Sequence, residues 1–425
     1  MRRVEEPRVY RRPWADYALV FIATFALGIG WFARLYHLGL PPRMIWDEIY
    51  FPVFARDYLQ GAPFFDLHPP LGKFIIAGGV AIFGDTPIGW RAMPALFGCA
   101  MVPLGASLGW CYFKGRVGAL LLATFIAGET MLIVYSRTGL MDGILVFFML
   151  GTLLAALLVR RREQILFPAV LLGLTIAVKW AAFPLAVPIG YILWRRGFLK
   201  PFLVTLWVPA VVYVSVVLVG QVVNPTGASR VFNENNAFTN VVQWHRQALK
   251  NVYKAVPNDQ ASPWWSWPLM IRPILLFYQE YRADKVTTVL AIGNPLIWWS
   301  STLAVVAGVF ELWRRFVIGR PTLDHPLVPI VLGYVSLMLP WVPGTRIPYI
   351  YNYLPIYPFA ILALVYWLCR LWRYRSWGTW TVVAFAACTV AAALYFLPIT
   401  TALPTSHEDL RQHIWLGSWD HIQFD

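Results

Sequence analysis

The chain has 425 residues, 59% hydrophobic and only 13% charged, with a formal net charge of +14. A soluble domain carries about 25% charged residues, so this composition cannot cover a water-facing surface and implies an integral membrane protein. The basic excess does not imply nucleic acid, because the lysines and arginines fall in short clusters between apolar runs, the signature of cytoplasmic loops.

The first apolar run, about 16–36, is too long for the core of a cleavable signal peptide and is expected to stay as a signal anchor. Ten further spans follow, at about 89–112, 117–135, 138–159, 165–179, 181–194, 201–222, 292–313, 326–342, 349–369 and 377–397. A span needs roughly 20 residues, so the pair between 165 and 194 is short, and Pro184 and Pro188 interrupt it. It counts as two spans because the charge ledger requires an even number there. With Arg2, Arg3, Arg8, Arg11 and Arg12 in the cytoplasm, eleven spans put four more short basic clusters beside them: Lys114/Arg116, Arg160–Arg162, Arg195/Arg196/Lys200 and Arg314/Arg315/Arg320. Arg370, Arg373 and Arg375 make a fifth, so that 19 of the 35 basic residues lie on that side. This asymmetry places the C-terminal tail outside.

Two outer segments are long. Loop one, about 37–88, holds an apolar stretch at 71–84 that is too short to span and suits an interfacial helix. Loop four, about 223–291, is rich in Asn, Trp and Pro, with an amphipathic piece near 238–256. No internal repeat or low-complexity tract is visible. The expectation is one membrane domain, 1–397, and a short extracytoplasmic tail, 398–425, facing away from the cytoplasm of a plasma (inner) membrane. Cys99, Cys111, Cys369 and Cys388 sit within or at the ends of apolar segments without metal-ligand spacing, and read as inert thiols.

Several residues carry candidate chemistry. Asp47 and Glu48 follow Trp46 at the outer membrane face. They read either as a solvated pair or helix cap, or as the source of a general base, which must reach an acceptor hydroxyl. Only one of two adjacent residues on a helix can face a given cleft. Asp66-Leu67-His68-Pro69-Pro70 is a stiff turn, either a structural corner or a contact from His68 or Asp66 to substrate. Glu129 lies eight residues before Arg137, about 12 Å deep in the third span. Intramembrane charges point to function, and Arg91, Arg137 and Lys179 are its candidate partners. Such a cationic cluster could hold a lipid phosphate, or each member could snorkel to the headgroups. Asp142 either orients Arg137 through a salt bridge or contacts substrate. Trp264, Trp265 and Trp267, in Ser262-Pro263-Trp264-Trp265-Ser266-Trp267-Pro268, read as an interfacial belt or as a cap stacking on sugar. No histidine pair at ligand spacing suggests a metal.

Together these motifs resemble those of the protein O-mannosyltransferase family. Trp46-Asp47-Glu48 with Phe65-Asp66-Leu67-His68-Pro69-Pro70-Leu71-Gly72-Lys73 is similar to the family's loop-one signature. Ser136-Arg137-Thr138-Gly139-Leu140-Met141-Asp142, Val178-Lys179-Trp180, the tryptophan stretch continuing to Arg272-Pro273, Gly293-Asn294-Pro295 and Tyr351-Asn352-Tyr353-Leu354-Pro355 follow in the family's order. The resemblance spans about residues 40–360. It implies the all-α, polytopic GT-C glycosyltransferase fold, a polyprenyl-phosphate sugar as donor, a secreted or membrane protein as acceptor, and inverting transfer of mannose to Ser or Thr without a metal or cofactor. It also implies that Asp47 is the family's catalytic acidic residue and that Arg91, Arg137 and Lys179 lie near the donor phosphate. Asn352 departs from the family's usual His, and loop four is too short for the MIR domain of eukaryotic members. The same fold moving another sugar, or acting on a lipid or glycan acceptor, stays open at this point. A transporter is disfavoured by the absence of repeated halves.

Overall fold

The computed structural model describes residues 13–224, 236–252, 260–282, 284–343, 348–374 and 376–419. The N-terminal arginines Arg2, Arg3, Arg8, Arg11 and Arg12, together with Arg375 and residues 253–256 of the amphipathic piece, lie outside the described residues.

Long apolar runs with few internal charges form the helices the composition requires. Helix α1 (Pro13–Leu35) leads into a loop segment that carries α2 (Phe51–Gln60) and α3 (Leu71–Phe83), and then α4 (Pro87–Phe113). The expected interfacial stretch is therefore α3, and it packs on α2 and α4. The third expected span is two helices, α5 (Arg116–Gly128) and α6 (Thr130–Ser136), bent by 62° at Glu129. Next come α7 (Asp142–Leu158), α8 (Leu166–Val178), α9 (Ala186–Arg195), α10 (Leu199–Val204) and α11 (Trp207–Val223). The short pair between 165 and 194 is thus α8 and α9, separated by a 3-10 turn, Trp180–Leu185, at Pro184. The amphipathic piece is α12 (Ala237–Val252). The chain closes with α13 (Pro295–Val317), α14 (Leu327–Met338), α15 (Tyr357–Trp372), α16 (Ser376–Thr400) and the short α17 (His407–Gln412). Among the described residues, five helical stretches are long and apolar enough to cross a bilayer, six if the bent pair counts as one span, and several apolar helices are shorter, so the expected eleven full spans are not reproduced one for one. This is a multi-pass membrane architecture. Phe21, Phe25, Leu303, Val306, Phe310 and Phe316 lie exposed along α1 and α13, as residues facing lipid do.

A small antiparallel sheet adds to the helices. Strand β1 (Ile274–Arg282) pairs with β2 (Lys285–Ala291), which pairs with β3 (Thr405–Ser406). The tail therefore docks rather than trailing. Trp419 is fully buried, and its indole N–H donates to the Met270 carbonyl at 2.7 Å.

The break at Glu129 shows how a bent span survives in hydrocarbon, where an unsatisfied backbone group costs several kcal/mol. Arg34, fully buried near the end of α1, donates to the carbonyls of Ile126 and Ala127 at 3.1 and 3.3 Å. The Asn294 side chain donates to the Gly128 carbonyl at 3.1 Å. Glu129 itself accepts from the Met131 amide at 3.2 Å, capping α6. After the bend, Arg137 at the end of α6 reaches the carbonyls of Tyr36 and His37, just past α1.

Candidate active site

Asp47 and Glu48 lie on a 3-10 turn, Trp46–Ile49. Three residues per turn set neighbouring side chains about 120° apart, so the two carboxylates diverge. Glu48 turns inward and is fully buried. It accepts from Arg91 Nε and Nη2, each at 2.7 Å, from the Gly139 amide at 2.7 Å and from the Ile45 amide at 3.1 Å. Gly139 is required for this approach: a Cβ there would stand 2.9 Å from Pro52 Cγ and 3.4 Å from Glu48 Oε1. Asp47 is half-buried and lies within electrostatic reach of Tyr135. Trp46, just before it, adopts φ +49°, a left-handed conformation that is costly for a bulky residue.

Arg91 is fully buried on α4. Besides Glu48 it donates to the carbonyls of Leu38, Pro41 and Arg43 at 3.1, 2.9 and 3.1 Å. A guanidinium has five N–H donors, and all five are committed. Arg137 donates to the carbonyls of Ala33, Tyr36 and His37 at 2.6, 3.3 and 3.4 Å, capping the C-terminal end of α1. Within the protein, then, all five Arg91 donors are engaged, and Arg137 places three hydrogen bonds on the end of α1. Both are spent on backbone carbonyls that the irregular loop after α1 would otherwise bury unpaired.

Lys179 is the remaining member of the expected cluster. Its ammonium spans Asp142 Oδ1 and Oδ2 at 2.9 and 2.8 Å. It lies 5.8 Å from the Phe51 ring centre and 5.6 Å from that of Tyr351. Asp142 thus pairs with Lys179 and not with Arg137. The ring of Tyr351 is 5.8 Å from that of Tyr135 and is stacked 5.5 Å from Tyr349, which meets Trp46 edge-on at 6.1 Å. Asp47, Lys179, Asp142 and this aromatic wall form one constellation.

Glu129 lies apart from it. Its carboxylate accepts from the Tyr357 hydroxyl at 2.8 Å and the Asn294 amide at 3.0 Å, and its cationic neighbour is Arg34. None of Arg91, Arg137 and Lys179 is its hydrogen-bond partner.

Asp66 and His68 belong to the stiff turn. Lys73 on α3 donates to Asp66 Oδ2 at 2.5 Å and to the His68 carbonyl at 2.6 Å. Burial pushes the Asp66 carboxyl up, but Lys73 and His68 more than offset this and hold it below the usual carboxylate range. The His68 ring packs 5.9 Å from Phe51. Trp244 on α12 donates to the Asp66 carbonyl at 2.8 Å. A narrow polar crevice borders this turn, lined by Asp66, His68, Lys73, Gln221, Asn224 and Trp244.

The tryptophan cluster divides. Trp267 is fully buried, donates to Ser262 and packs against Trp341 at 5.4 Å. It is packed into the core, unlike its two neighbours in the cluster. Trp264 is half-buried and Trp265 is exposed. Asn352 is half-buried on the 3-10 turn Ile350–Tyr353, one residue from Tyr351.

Sequence reasoning missed Arg34, Tyr135 and the partners of Glu129. Arg34 carried a signal, a charge four residues after Gly30 inside an apolar run. Tyr135 carried none, because one tyrosine in an apolar segment is ordinary.

Known proteins match this chain along most of its length. Models of dolichyl-phosphate-mannose-protein mannosyltransferases match residues 24–90 and 67–219. A model of the C-terminal four TMM region of protein-O-mannosyltransferase matches residues 237–419. The polyprenol-phosphate-mannose–protein mannosyltransferase of Mycobacterium tuberculosis (strain ATCC 25618 / H37Rv) is 27% identical, over 83% of this chain and 81% of that protein. Its namesake from Mycolicibacterium smegmatis (strain ATCC 700084 / mc(2)155) is 25% identical, over 91% and 90%. Among solved structures, the S. cerevisiae protein O-mannosyltransferase Pmt1-Pmt2 complex bound to the sugar donor superposes with a TM-score of 0.79 at 16% identity, covering 96% of this chain and 93% of that one. ArnT from Cupriavidus metallidurans bound to undecaprenyl phosphate gives 0.51 at 16% identity, over 92% and 75%. At these identities the structural likeness concerns the fold alone.

Proposed function

Because the chain belongs to the protein O-mannosyltransferase family and has the GT-C fold, we propose that it transfers mannose from a polyprenyl-phosphate donor to Ser or Thr hydroxyls of secreted or membrane proteins. The observation that carries the assignment of roles is the divergence of the two loop-one carboxylates. Glu48 is locked by Arg91 and the Gly139 amide, while Asp47 stays half-buried beside the Tyr135–Tyr351 wall.

In this reading Asp47 accepts the proton of the acceptor hydroxyl. The oxygen attacks the anomeric carbon from the face opposite the phosphate. The bond from that carbon to the phosphate oxygen breaks, and its electron pair leaves with the polyprenyl phosphate. Lys179, held by Asp142, meets the charge that gathers on the leaving group. Its flexible point charge suits a phosphate that must later depart. The reaction balances with two substrates, two products and one proton, and calls for no redox cofactor. The site faces the extracytoplasmic side of the plasma membrane, with the N-terminus in the cytoplasm, as the distribution of basic loops supports.

The test is transfer of labelled mannose from polyprenyl-phosphate mannose to a Ser/Thr-rich acceptor by the full chain in vesicles, comparing wild type with Asp47→Asn. Label released by β-elimination and lost in the variant is the expected result. Undiminished labelling by Asp47→Asn would refute its role as base. A folded wild type that takes glucose or another hexose instead would refute the choice of mannose.

A further inference from the structure

Among the described residues of this site, two hydrogen-bond donors are left over. The Tyr135 side chain is 1% exposed, and its hydroxyl has no hydrogen-bond partner among the described residues. The buried indole N–H of Trp46 is likewise unpartnered. Glu48, Arg137 and Asp142, by contrast, have partners: Arg91, backbone carbonyls and Lys179. Buried polar groups are nearly always paired, so a buried phenol left over calls for an explanation. Packing does not supply one. Phenylalanine fills the same volume without the cost of stripping water from an unpaired hydroxyl.

The two orphan donors share one wall. Trp46 meets Tyr349 at 6.1 Å, Tyr349 stacks on Tyr351 at 5.5 Å, and Tyr351 meets Tyr135 at 5.8 Å. The charged neighbours of Tyr135 are Asp47 and Asp142. Trp46 is held in a left-handed conformation at φ +49°, a strained arrangement typical of residues whose direction matters more than their comfort.

Aromatic faces, single-direction N–H and O–H donors, and carboxylate acceptors together match one ligand chemistry. A sugar hydroxyl donates and accepts at once, so it can take a bond from Tyr135 while giving one to a carboxylate. A phosphate oxygen only accepts, and two carboxylates repel it; its place is on the Lys179 side. We propose that Tyr135, together with Trp46, is the hydroxyl-reading subsite for the transferred hexose, and that Tyr135 sets which sugar is accepted. The proposal rests on the glycosyl-transfer reading above and assigns a specificity residue to it.

The experiment uses the purified full chain in vesicles, with a Ser/Thr-rich peptide as acceptor. Two donors are compared: polyprenyl-phosphate mannose, and the same lipid carrying a mannose that lacks one hydroxyl, taken in turn around the ring. Wild type, Tyr135→Phe and Trp46→Phe are measured for kcat/KM and for melting temperature. The expected result is that Tyr135→Phe melts at or above the wild-type temperature and loses about 10- to 100-fold in kcat/KM for mannose. For one deoxy-mannose the variant and wild type should be nearly equal, which identifies the hydroxyl that is read. The ratio of mannose to deoxy-mannose turnover is independent of how much protein is folded, so it decides the matter even if a variant is unstable. A ratio in Tyr135→Phe unchanged from wild type at every deoxy position overturns the proposal. A wild type that turns over neither donor refutes the mannosyl reading itself. The same ratio is then measured with the hexose that wild type does accept, and a ratio unchanged by Tyr135→Phe overturns the subsite.

Discussion

Replacing Glu48 by Gln separates a structural carboxylate from a catalytic one. The wild-type carboxylate accepts four hydrogen bonds, from the Ile45 and Gly139 amides and from Arg91 Nε and Nη2. A glutamine keeps one carbonyl oxygen and turns an NH2 group toward two of those donors. Two bonds are lost, one of them to a guanidinium, where such bonds are worth about 1.5–3 kcal/mol. Arg91 also loses its counter-charge in a fully buried position, and breaking a buried pair costs about 3–5 kcal/mol. Counting the overlap once, the substitution destabilises by about 3–5 kcal/mol. The assay is a thermal melt in detergent alongside mannosyl transfer, with Asp47→Asn as the companion. Glu48→Gln should melt several degrees lower and lose activity in proportion to lost fold. Asp47→Asn should melt near wild type and be inactive. A Glu48→Gln protein that melts like wild type yet is inactive would refute the reasoning, since Glu48 would then be doing chemistry and not holding loop one.

Gly139→Ala should destabilise by about 1–3 kcal/mol, because its Cβ would press on Pro52 and the Trp90 carbonyl at 2.9 and 3.2 Å; a melt checks this, and a neutral result would mean the loop shifts freely. Truncation after residue 404 removes β3 and the buried Trp419, whose loss should cost about 3–5 kcal/mol; detergent melts of the two chains would show it. For Asp66, whose carboxyl is held below the usual range, the stabilising contribution is present above the unfolded value of about 3.9 and is lost only as pH falls through the lower folded value. Wild type should therefore exceed Asp66→Asn in melting temperature throughout pH 5 to 8, with the curves converging only in strong acid. Curves that coincide across pH 5 to 8 would contradict the Lys73 pairing.

Much of the architecture was legible because hydrocarbon is an unforgiving solvent. It demands long apolar runs, confines most charge to loops, and so writes long helices such as α1, α4, α13 and α16 into the sequence. Pro184 marked the division between α8 and α9 in the same way. The bend at Glu129 was not legible. A broken helix needs its orphan carbonyls met by Arg34 and Asn294, which lie 95 residues before and 165 residues after Glu129 in the chain.

The site divides along the same line. Residue type and order were enough to nominate Asp47, Lys179 and the loop-one turn, because paired carboxylates and cations beside a membrane are too costly to be idle. Sequence by itself could not say where each charge is spent. Arg91, Arg137 and Lys179 are equivalent on paper. Only the packed structure shows that Arg91 and Arg137 satisfy backbone carbonyls while Lys179 reaches the wall that borders Asp47. Which of Asp47 and Glu48 turns inward depends in part on a contact 91 residues away, at the Gly139 amide. Composition and order determined the solvent, the helices and the inventory of charges. Direction was decided by tertiary structure, because a side chain's partner is set by what the fold brings within 3 Å and not by its neighbours in the chain.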